Sequence, residues 1–583
     1  MLLDDETTIV VPPAFDARIL NGGDLLMSRR VPAVDDAASP AARAARPSPG
    51  AAPLDAIGLQ IVWSRLIATV EEQARVLMRT AFSPTVREAG DLSAGVFDAR
   101  GRLVAQAVTG TPGHVNSMAE AVRHFLVRFP LDTLGDGDHF ITNDPWLSSG
   151  HLHDVTVVSP VFANGRPIAF FACTCHQVDI GGLGQGPDGR SVYEEGLFIP
   201  IMRLMRAGSV NQDLLDIVRA NVRQPDQVVG DLMSYVTANS VSGRRLVATL
   251  HEYGIADFQA LAELVIERSR VATREAIRAL PDGVHRYAMQ IDGYDRPVDL
   301  CATLTIDGER LSVDFGGSSP ASPRGINLVL NYTRAYSAFG LRAAIAPHVP
   351  NNAGSLAPFE IDAPPGSILN VQHPWPVSAR HIIGQFLPDV VFGCLAGVLP
   401  DRVPAEGASC VWGAQLRGGP QVSAAVGMPE LTTESFETLF FNSGGSGARP
   451  GADGLSATAF PSGIKAISCE VIEAGNPIVI WKKELLPASG GAGRWRGGAG
   501  QRIEIGTING APFQFFGMYD RVQRPARGRA GGGDGAPGWV GLTDGTALAA
   551  MGLQTVPAHA RLRLDVPGGG GHGVPPDTAD HDR

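Results

Sequence analysis

Histidines and carboxylates are concentrated in two short segments of the chain, residues 143–154 and 175–182. The side chains of interest in these segments are His151, His153, Asp154, His176 and Asp179. Two histidines and one carboxylate that leave a coordination position open can bind a divalent metal, which lowers the pKa of water and polarises a carbonyl group. The two segments therefore favour a metal-dependent hydrolytic site over residues that only cap the ends of strands.

A β-hairpin is predicted to bring the two segments together. Residues 155–162 and 167–175 have the character of strands, and Asn164-Gly165 between them is the strongest two-residue turn signal. Antiparallel strands joined in this way deliver the residues before the first strand and after the second strand to the same end of the sheet. We expect the histidines and carboxylates of both segments to meet at that end.

The register of this hairpin decides which side chains share a face. A tight turn pairs His153 with His176 and Asp154 with Cys175. In that register the three histidines lie on one face and Asp154 lies on the other. A ligand set that contains Asp154 therefore requires a bulge or a departure from the ladder at the base of the hairpin. The sequence leaves open whether His153 or Asp154 is the ligand.

Five further polar residues are candidates for catalytic or substrate contacts. Asp91 precedes a strand and could act as a general base or reach the metal, although an ion pair or a turn cap explains it equally well. His114 precedes a helix and could either contact substrate or cap that helix. Asp144 is a catalytic candidate together with Asp91 and His153, and Asn143 and Asp179 are candidates for substrate binding.

Helices and hairpins must position these residues in the first half of the chain. Helical periodicity begins near residue 55, and further helices are predicted at about 117–129, 211–222, 226–250 and 256–280, with a hairpin over 92–107 and a strand over 139–142. After Pro281 the pattern changes to short strands separated by Asp-Gly and Gly-Gly turns, with helical stretches near 331–346 and 380–398. These patterns predict a mixed α/β (α+β) fold with a helix-plus-hairpin metal region over 55–280 and a β-rich, Gly-rich region over 281–565.

The two ends of the chain have a different character. Residues 1–54 are rich in Ala, Pro, Arg and Asp without sustained periodicity, and residues 566–583 open on a glycine run. Both segments are predicted to be disordered. The glycine-rich segments 444–449 and 490–498 could line an anion pocket with backbone N–H groups, or could form tight turns between strands.

Charge and composition exclude several classes of partner. The 583 residues carry 48 Lys+Arg against 59 Asp+Glu, a net charge of −11, so nucleic acid is not an expected partner. No apolar run approaches the roughly 18 residues needed to span a bilayer. Six scattered cysteines and an acidic N-terminus predict a cytoplasmic protein. None of the three lysines, Lys465, Lys482 and Lys483, stands in a P-loop, so ATP is not expected to bind here through that motif.

An ordered series of motifs over about 55–565 resembles the hydantoinase B/5-oxoprolinase family. This family includes N-methylhydantoinase chains of the B type and, more distantly, subunits of acetone and acetophenone carboxylases. The motifs are Arg87-Glu88, Asp91-Leu92-Ser93, Gly101 to Gln106, His114 with Ser117-Met118, Asn143-Asp144-Pro145, His151-Leu152 with Asp154, His176 with Asp179-Ile180-Gly181-Gly182, Glu195-Gly196, Asn351 with Gly354, and Gly490 to Gly493 with Arg496-Gly497-Gly498.

The resemblance implies ATP-dependent chemistry shared between two kinds of subunit in a hetero-oligomer. An A-type partner would bind ATP and activate the carbonyl oxygen of a small cyclic amide, and this B-type chain would open the C–N bond at a metal site. The matching ligands are His151, Asp154 and His176, and the metal would be Zn, Mn or Fe. Two alternatives are carboxylation of a ketone at the same site and a non-catalytic structural subunit. Where family members usually have Pro before the aspartate, this chain has His153, which adds a possible ligand or proton carrier.

Overall fold

The computed structural model describes residues 2–3, 8–9, 15–20, 25–29, 56–108 and 111–576. The chain divides into two units, Met1–Pro53 and Leu54–Arg583. In the first unit, strand β1 (Leu2–Leu3) pairs with β2 (Thr8–Ile9), and β3 (Phe15–Ile19) pairs with β4 (Leu25–Arg29). The rest of the predicted disordered extension, residues 1–54, lies outside the described residues.

The second unit contains the remaining helices and strands. Its helices are α1 (Ala56–Thr80), α2 (Pro84–Arg87), α3 (Pro112–Arg128), α4 (Gln212–Asn221), α5 (Pro225–Glu252), α6 (Phe258–Arg278), α7 (Leu330–Ile345), α8 (Ala353–Leu356), α9 (His381–Gly384), α10 (Leu387–Leu395), α11 (Pro420–Ala425) and α12 (Cys469–Gly475). Its strands are β5 (Leu92–Asp98), β6 (Leu103–Gln106), β7 (His139–Thr142), β8 (Asp154–Ala163), β9 (Arg166–His176), β10 (Met202–Arg206), β11 (Ser209–Val210), β12 (Gly283–Ile291), β13 (Val298–Asp307), β14 (Arg310–Asp314), β15 (Phe359–Asp362), β16 (Trp412–Gly418), β17 (Phe436–Asn442), β18 (Ile478–Leu485), β19 (Gln501–Thr507), β20 (Phe513–Met518), β21 (Trp539–Leu542), β22 (Met551–Val556) and β23 (Leu562–Asp565).

A seven-stranded sheet positions the predicted site. Its strand order is β11-β10-β7-β8-β9-β5-β6, so the predicted hairpin β8–β9 lies at its centre. Helices α1 and α5 cover one face, where Val96 and Val157 are buried, and α3 covers the other face, where Phe97 and Val158 are buried. Because both faces are covered, the central strands β5, β8 and β9 are buried at nearly every position rather than at alternate ones.

The second half of the chain forms three four-stranded sheets. Their strand orders are β12-β13-β14-β15, β17-β16-β20-β22 and β18-β19-β23-β21. The mixed α/β fold class predicted from the sequence is therefore confirmed. None of the helices in the described part of the chain has the length and apolarity needed to cross a membrane.

Two helices differ from the sequence prediction in a way that matters for the site. Helix α3 begins at Pro112, five residues earlier than predicted, because proline is favoured in the first turn of a helix. His114 consequently belongs to the helix rather than preceding it. The helix predicted over 380–398 is divided into α9 and α10, and Pro388 lies in the first turn of α10.

Glycine-rich segments far apart in sequence pack backbone against backbone. Gly445 N donates to Pro567 O (3.0 Å), Gly498 N to Ser446 O (2.9 Å) and Gly569 N to Gly498 O (3.0 Å). A Cβ atom added at Gly445 would lie 1.8 Å from Gly498 O, so only glycine permits this approach. The segments 444–449 and 490–498, which the sequence predicts as turns or an anion pocket, thus contribute to a scaffold of closely packed backbone segments.

The predicted disordered tail requires a correction for its first residues. Residues 566–571 are buried, and Gly570 N donates to Glu406 O (2.8 Å). The glycine run is ordered because its partner segments satisfy its backbone groups. Residues 577–583 lie outside the described part of the chain.

Candidate metal centre

A bulge sets the register of the β8–β9 hairpin. Near the Asn164-Gly165 turn the pairs follow the predicted register, with Phe162 opposite Pro167, but the next pair is Val161 with Ala169. The extra residue, Ile168, follows Pro167, which lacks an N–H for the ladder and so favours a bulge. The predicted pairing of the site residues is therefore wrong by one position.

The shift brings the aspartate onto the face of the histidines. Asp154 pairs with His176, and Val155, rather than Asp154, pairs with Cys175. His151 and His153 lie in the turn that precedes β8, and the His153 ring stacks on His176 with centroids 5.4 Å apart. A ligand set that contains Asp154 requires a departure from the simple ladder, and the bulge at Ile168 provides it. This bulge lies near the turn of the hairpin rather than at its base.

Asp154 is the common partner of four buried side chains, and its two oxygens divide them into pairs. Oδ1 lies 2.7 Å from His151 Nε2 and 3.0 Å from His176 Nδ1. Oδ2 lies 2.8 Å from His114 Nε2 and also forms an ion pair with Arg380. All five residues are at most 3% exposed, so these interactions act in a medium of low dielectric constant.

The surrounding charges keep Asp154 ionised. Burial by itself would raise the pKa of this carboxyl, but His114, His151 and Arg380 hold the pKa well below its usual range. Burial and the positive charge of Arg380 lower the pKa of His151 to about 3. The carboxylate is therefore negatively charged and the His151 imidazole is neutral at physiological pH.

The tautomer of His151 follows from its second contact. Its Nδ1 lies 2.9 Å from the backbone oxygen of Ser378, which only accepts hydrogen bonds, so Nδ1 carries the proton. Nε2 then carries a lone pair, lies 2.7 Å from the anionic Oδ1 of Asp154 and has no aligned hydrogen bond among the described residues. A lone pair and a carboxylate oxygen this close are favourable only when they share a cation.

The cluster fits a metal ion by its composition and by its space. Ligand atoms of His151, Asp154 and His176 all lie within 4.8 Å of one another, and all three residues are buried. The adjoining cavity has a volume of about 20 Å³, which admits one water molecule or ion. A histidine whose other nitrogen donates to a backbone carbonyl, as His151 does, is the usual arrangement in protein metal sites.

Comparison with known proteins places this site in a family. A profile of the hydantoinase B/oxoprolinase family matches residues 55–575. The chain belongs to the hydantoinase B/oxoprolinase family. The B-type chain of a putative D-/L-hydantoinase from Pseudomonas sp. (strain NS671) is 28% identical over 550 residues, covering 90% of each chain.

Two solved structures share the fold of this family member. The ATP-dependent caprolactamase from Pseudomonas jessenii superposes with a TM-score of 0.81 at 25% identity, covering 91% of this chain and 93% of that one. A nucleotide-free acetone carboxylase superposes with a TM-score of 0.78 at 19% identity, covering 88% and 75% of the two chains. The second likeness concerns the fold alone.

Asp91 and His114 join the cluster from separate elements. Asp91 lies directly before β5 and accepts a hydrogen bond from the Thr111 hydroxyl (3.1 Å), and its Oδ1 is 3.7 Å from His114 Nδ1. Burial lowers the pKa of His114, but the charges of Asp154 and Asp91 outweigh it and raise the pKa above its ordinary value. An Asp91–His114–Asp154 chain therefore borders the centre.

Three other predicted residues bind the backbone around the centre. Asn143 donates to Leu152 O (2.8 Å) and Leu197 O (2.9 Å) and accepts from Ile199 N (2.6 Å). Asp144 accepts a hydrogen bond from Trp146 N at 2.9 Å.

Asp179 is similarly engaged, since it accepts from Gly181 N (2.9 Å) and forms an ion pair with Arg223 (2.9 Å). In this structure each of the three residues hydrogen-bonds the protein backbone, and none of them lines the small cavity beside the centre.

Sequence reasoning missed a second group of residues that comes from beyond residue 190. Arg380 stacks over the Tyr332 ring at 3.8 Å and donates to Ser149 O (2.6 Å). His381 lines the same small cavity, and neither of its buried nitrogens has a hydrogen-bond partner among the described residues. The only signal was their position at the start of a predicted helix.

Glu195 supports the loop that carries Arg380. Its Oε1 accepts hydrogen bonds from Val377 N (2.7 Å) and Ser378 N (2.8 Å). Burial raises the pKa of this carboxyl to about 8, and this effect outweighs the two backbone hydrogen bonds, which act to lower the pKa. Glu195 thus fixes the carbonyl that sets the tautomer of His151.

Proposed function

We propose that this chain is the metal-bearing B-type component of an ATP-dependent amidohydrolase that opens the C–N bond of a small cyclic amide. The observation that carries the proposal is the neutral His151 whose unprotonated Nε2 lies 2.7 Å from the ionised Asp154 without an aligned hydrogen bond among the described residues. Two such atoms can share a cation between them, and the family relationship suggests hydrolysis of a cyclic amide as the reaction.

The cation would be held by His151, Asp154 and His176. A bound Zn, Mn or Fe ion supplies Lewis acidity for a carbonyl oxygen and lowers the pKa of water. Asp154 can use Oδ1 for this purpose, because Arg380 and His114 already occupy Oδ2. The ion pair with Arg380 then holds the carboxylate in one orientation.

The protein's own groups handle protons around the reacting carbon. His114 lies between the carboxylates of Asp91 and Asp154, where it can take up and release a proton. Burial lowers the pKa of His153 well below its usual value, so its ring is neutral beside His176. Asn143, Asp144 and Asp179 act by fixing the backbone of the centre.

An ATP-binding A-type subunit completes the reaction. An unactivated amide is a poor electrophile, and phosphorylation of its oxygen would convert that oxygen into a leaving group. The sequence offers no P-loop lysine for this step, which favours nucleotide binding on a partner and hence a hetero-oligomer. The six cysteines are free thiols, in keeping with the reducing cytoplasm.

Co-expression of the chain with its A-type partner tests the proposal. The wild-type complex is expected to contain bound metal and to open hydantoin, 5-oxoproline or a lactam only when ATP is present. A His176→Ala variant should lose both the metal and the activity, whereas the exposed-site control His251→Ala should keep both. Full activity in a metal-free His176→Ala complex would refute the mechanism.

The same assay separates the two alternatives. Product formation that requires bicarbonate and a ketone would indicate carboxylation, for which the likeness in fold to acetone carboxylase is the supporting observation. A pure complex without stoichiometric Mn, Zn or Fe by elemental analysis would indicate a structural subunit.

A further inference from the structure

A second cavity lies on the opposite side of the first turn of α3 from the metal centre. It has a volume of about 420 Å³ and lies between α1, β6, α3, α7 and the segment 347–351. Pro112, Val115 and Asn116 line it, whereas the intervening His114 contacts Asp154. The cavity is large enough for a small organic molecule, and none of the metal-centre residues lines it.

One side of this cavity carries a guanidinium group that has no counter-ion among the described residues. Arg342 of α7 is partly buried, and its one side-chain hydrogen bond among the described residues goes from Nη1 to Val349 O (3.0 Å). Burial lowers the pKa of Arg342, with no carboxylate among the described residues to oppose that effect. A guanidinium has five N–H donors, so most of its donors remain available.

Two further polar atoms of the cavity walls are unsatisfied. Trp63 is 9% exposed, and its buried indole Nε1 has no hydrogen-bond partner among the described residues. Asn351 uses its amide hydrogens to bind Gln106 Oε1 (2.6 Å) and Asn116 Oδ1 (2.8 Å), which leaves its own buried Oδ1 without a partner. Withdrawing such groups from water without partners costs free energy, so a ligand that accepts a hydrogen bond from Trp63 Nε1 is favoured, whereas Asn351 Oδ1 requires a donor such as water.

The remaining walls are apolar. Ile67 of α1, Val115 of α3 and Phe339 of α7 contribute them. A ligand that fits must therefore combine one compact negative charge with a hydrophobic body. A multiply charged phosphate ester would leave most of its charge facing hydrocarbon, because Arg342 is the one arginine or lysine that lines the cavity.

We propose that this cavity binds a small organic carboxylate with an apolar body, with Arg342 as its carboxylate partner and Trp63 as a flanking donor. The planar guanidinium can engage both carboxylate oxygens at once, which a lysine could not do. The proposal is independent of the amidohydrolase function, because it concerns a different cavity and residues that do not touch the metal centre.

Calorimetric titration of the full chain with hexanoate and phenylacetate tests the proposal. Chelator is present throughout, so that no metal can bind the acids, and the neutral analogues hexanamide and phenylacetamide serve as matched ligands. We expect the acids to bind and the amides to bind at least tenfold more weakly. Equal binding of acids and amides, or no binding of the acids at millimolar concentration, would overturn the proposal.

Variants locate the binding. Arg342→Met should weaken acid binding at least tenfold, while the remote exposed control Arg219→Met and the metal-centre variant His176→Ala should bind as the wild type does. Arg342→Lys keeps the charge, provides a second test should the Met variant not fold, and should bind several-fold more weakly than the wild type. Unchanged affinity in both Arg342 variants would refute the assignment.

Thermal unfolding distinguishes a ligand site from a structural arginine. Without ligand, Arg342→Met should unfold within about 1 °C of the wild type or above it, because the change removes an uncompensated charge. Saturating hexanoate should raise the unfolding temperature of the wild type and leave that of Arg342→Met unchanged. A marked loss of stability in the ligand-free variant, or inorganic phosphate binding more tightly than hexanoate, would contradict a site for an apolar carboxylate.

Discussion

Replacement of Asp154 by asparagine removes the one carboxylate that contacts Arg380 in this structure. Arg380 is 2% exposed, and its other polar contact is a neutral backbone oxygen, Ser149 O. Breaking a buried ion pair by removing one partner costs about 3–5 kcal/mol, because the remaining charge is left in a medium of low dielectric constant. We therefore expect Asp154→Asn to be strongly destabilising even in metal-free protein.

The expected change in unfolding temperature follows from the size of the chain. At about 2.1 cal/mol/K per residue, unfolding of the 583-residue chain has an entropy of about 1.2 kcal/mol/K. A loss of about 3–5 kcal/mol then lowers the midpoint by about 2.5–4 °C. Scanning calorimetry of the protein in chelator measures this shift, and elemental analysis without chelator should show that the variant retains no metal.

A second substitution separates the charge effect from a simple loss of packing. In Asp154→Asn/Arg380→Met the unpaired guanidinium is absent, so at least half of the lost stability should return while metal binding stays abolished. The surface variant Asp132→Asn should unfold as the wild type does. A midpoint for Asp154→Asn within 1 °C of the wild type, or a double variant as unstable as the single one, would refute the reasoning.

Three further predictions follow from other parts of the fold. Burial raises the pKa of Glu195 from 4.5 to about 8, so the folded protein holds this proton more tightly than the unfolded chain does. Its contribution to the free energy of unfolding therefore falls by up to ~1.4 kcal/mol per pH unit as the pH rises from 4.5 to about 8. Glu195→Gln should remove this slope from the pH dependence of the unfolding midpoint, and an unchanged slope would contradict the assignment. Asp91→Asn should lower kcat at least tenfold with metal content intact, as single-turnover assays and elemental analysis would show; loss of metal would instead make Asp91 a ligand. Gly497→Ala should cost about 3 kcal/mol or more in denaturant titrations, because its Cβ would lie 1.9 Å from Gly569 O, whereas Gly397→Ala, with no atom within 4 Å, should be nearly neutral.

The local part of the centre could be predicted from the sequence because one hairpin delivers it. Asn164-Gly165 indicates the turn by its own conformational preference, and both residues have positive φ in the structure, 51° and 74°. The register was wrong because the register of a tight turn does not include the bulge at Ile168, which Pro167 favours since it lacks an N–H for the ladder. A shift of one residue moves Asp154 to the face that carries the histidines. There its carboxylate contacts several side chains instead of only capping the end of a strand.

The distant part of the centre could not be predicted in this way. Arg380 and His381 have no spacing relationship to His151, and they reach it because Glu195 binds the loop that precedes them. The packing of the glycine runs could not be predicted for the same reason. Taken alone, Gly445 is compatible with a turn and Gly569 with a flexible tail. Only the close approach of both to other backbone segments requires them to be glycine.

The division of the Asp154 oxygens explains how one carboxylate can serve both the metal-free and the metal-bound protein. Without a cation, His114 and Arg380 on Oδ2 supply the positive charge that keeps a buried carboxylate ionised. Oδ1 faces only His151 and His176, so a cation can enter there without breaking the ion pair on Oδ2. The free energy needed to bury the Asp154 carboxylate is thus offset by Arg380 and His114 during folding, before a cation enters. Because Arg380 already neutralises the carboxylate, a cation at the proposed site would add a net positive charge to the cluster. Removal of Arg380 should therefore leave the three proposed ligands in place, while Oδ2 of Asp154 keeps its contact with His114.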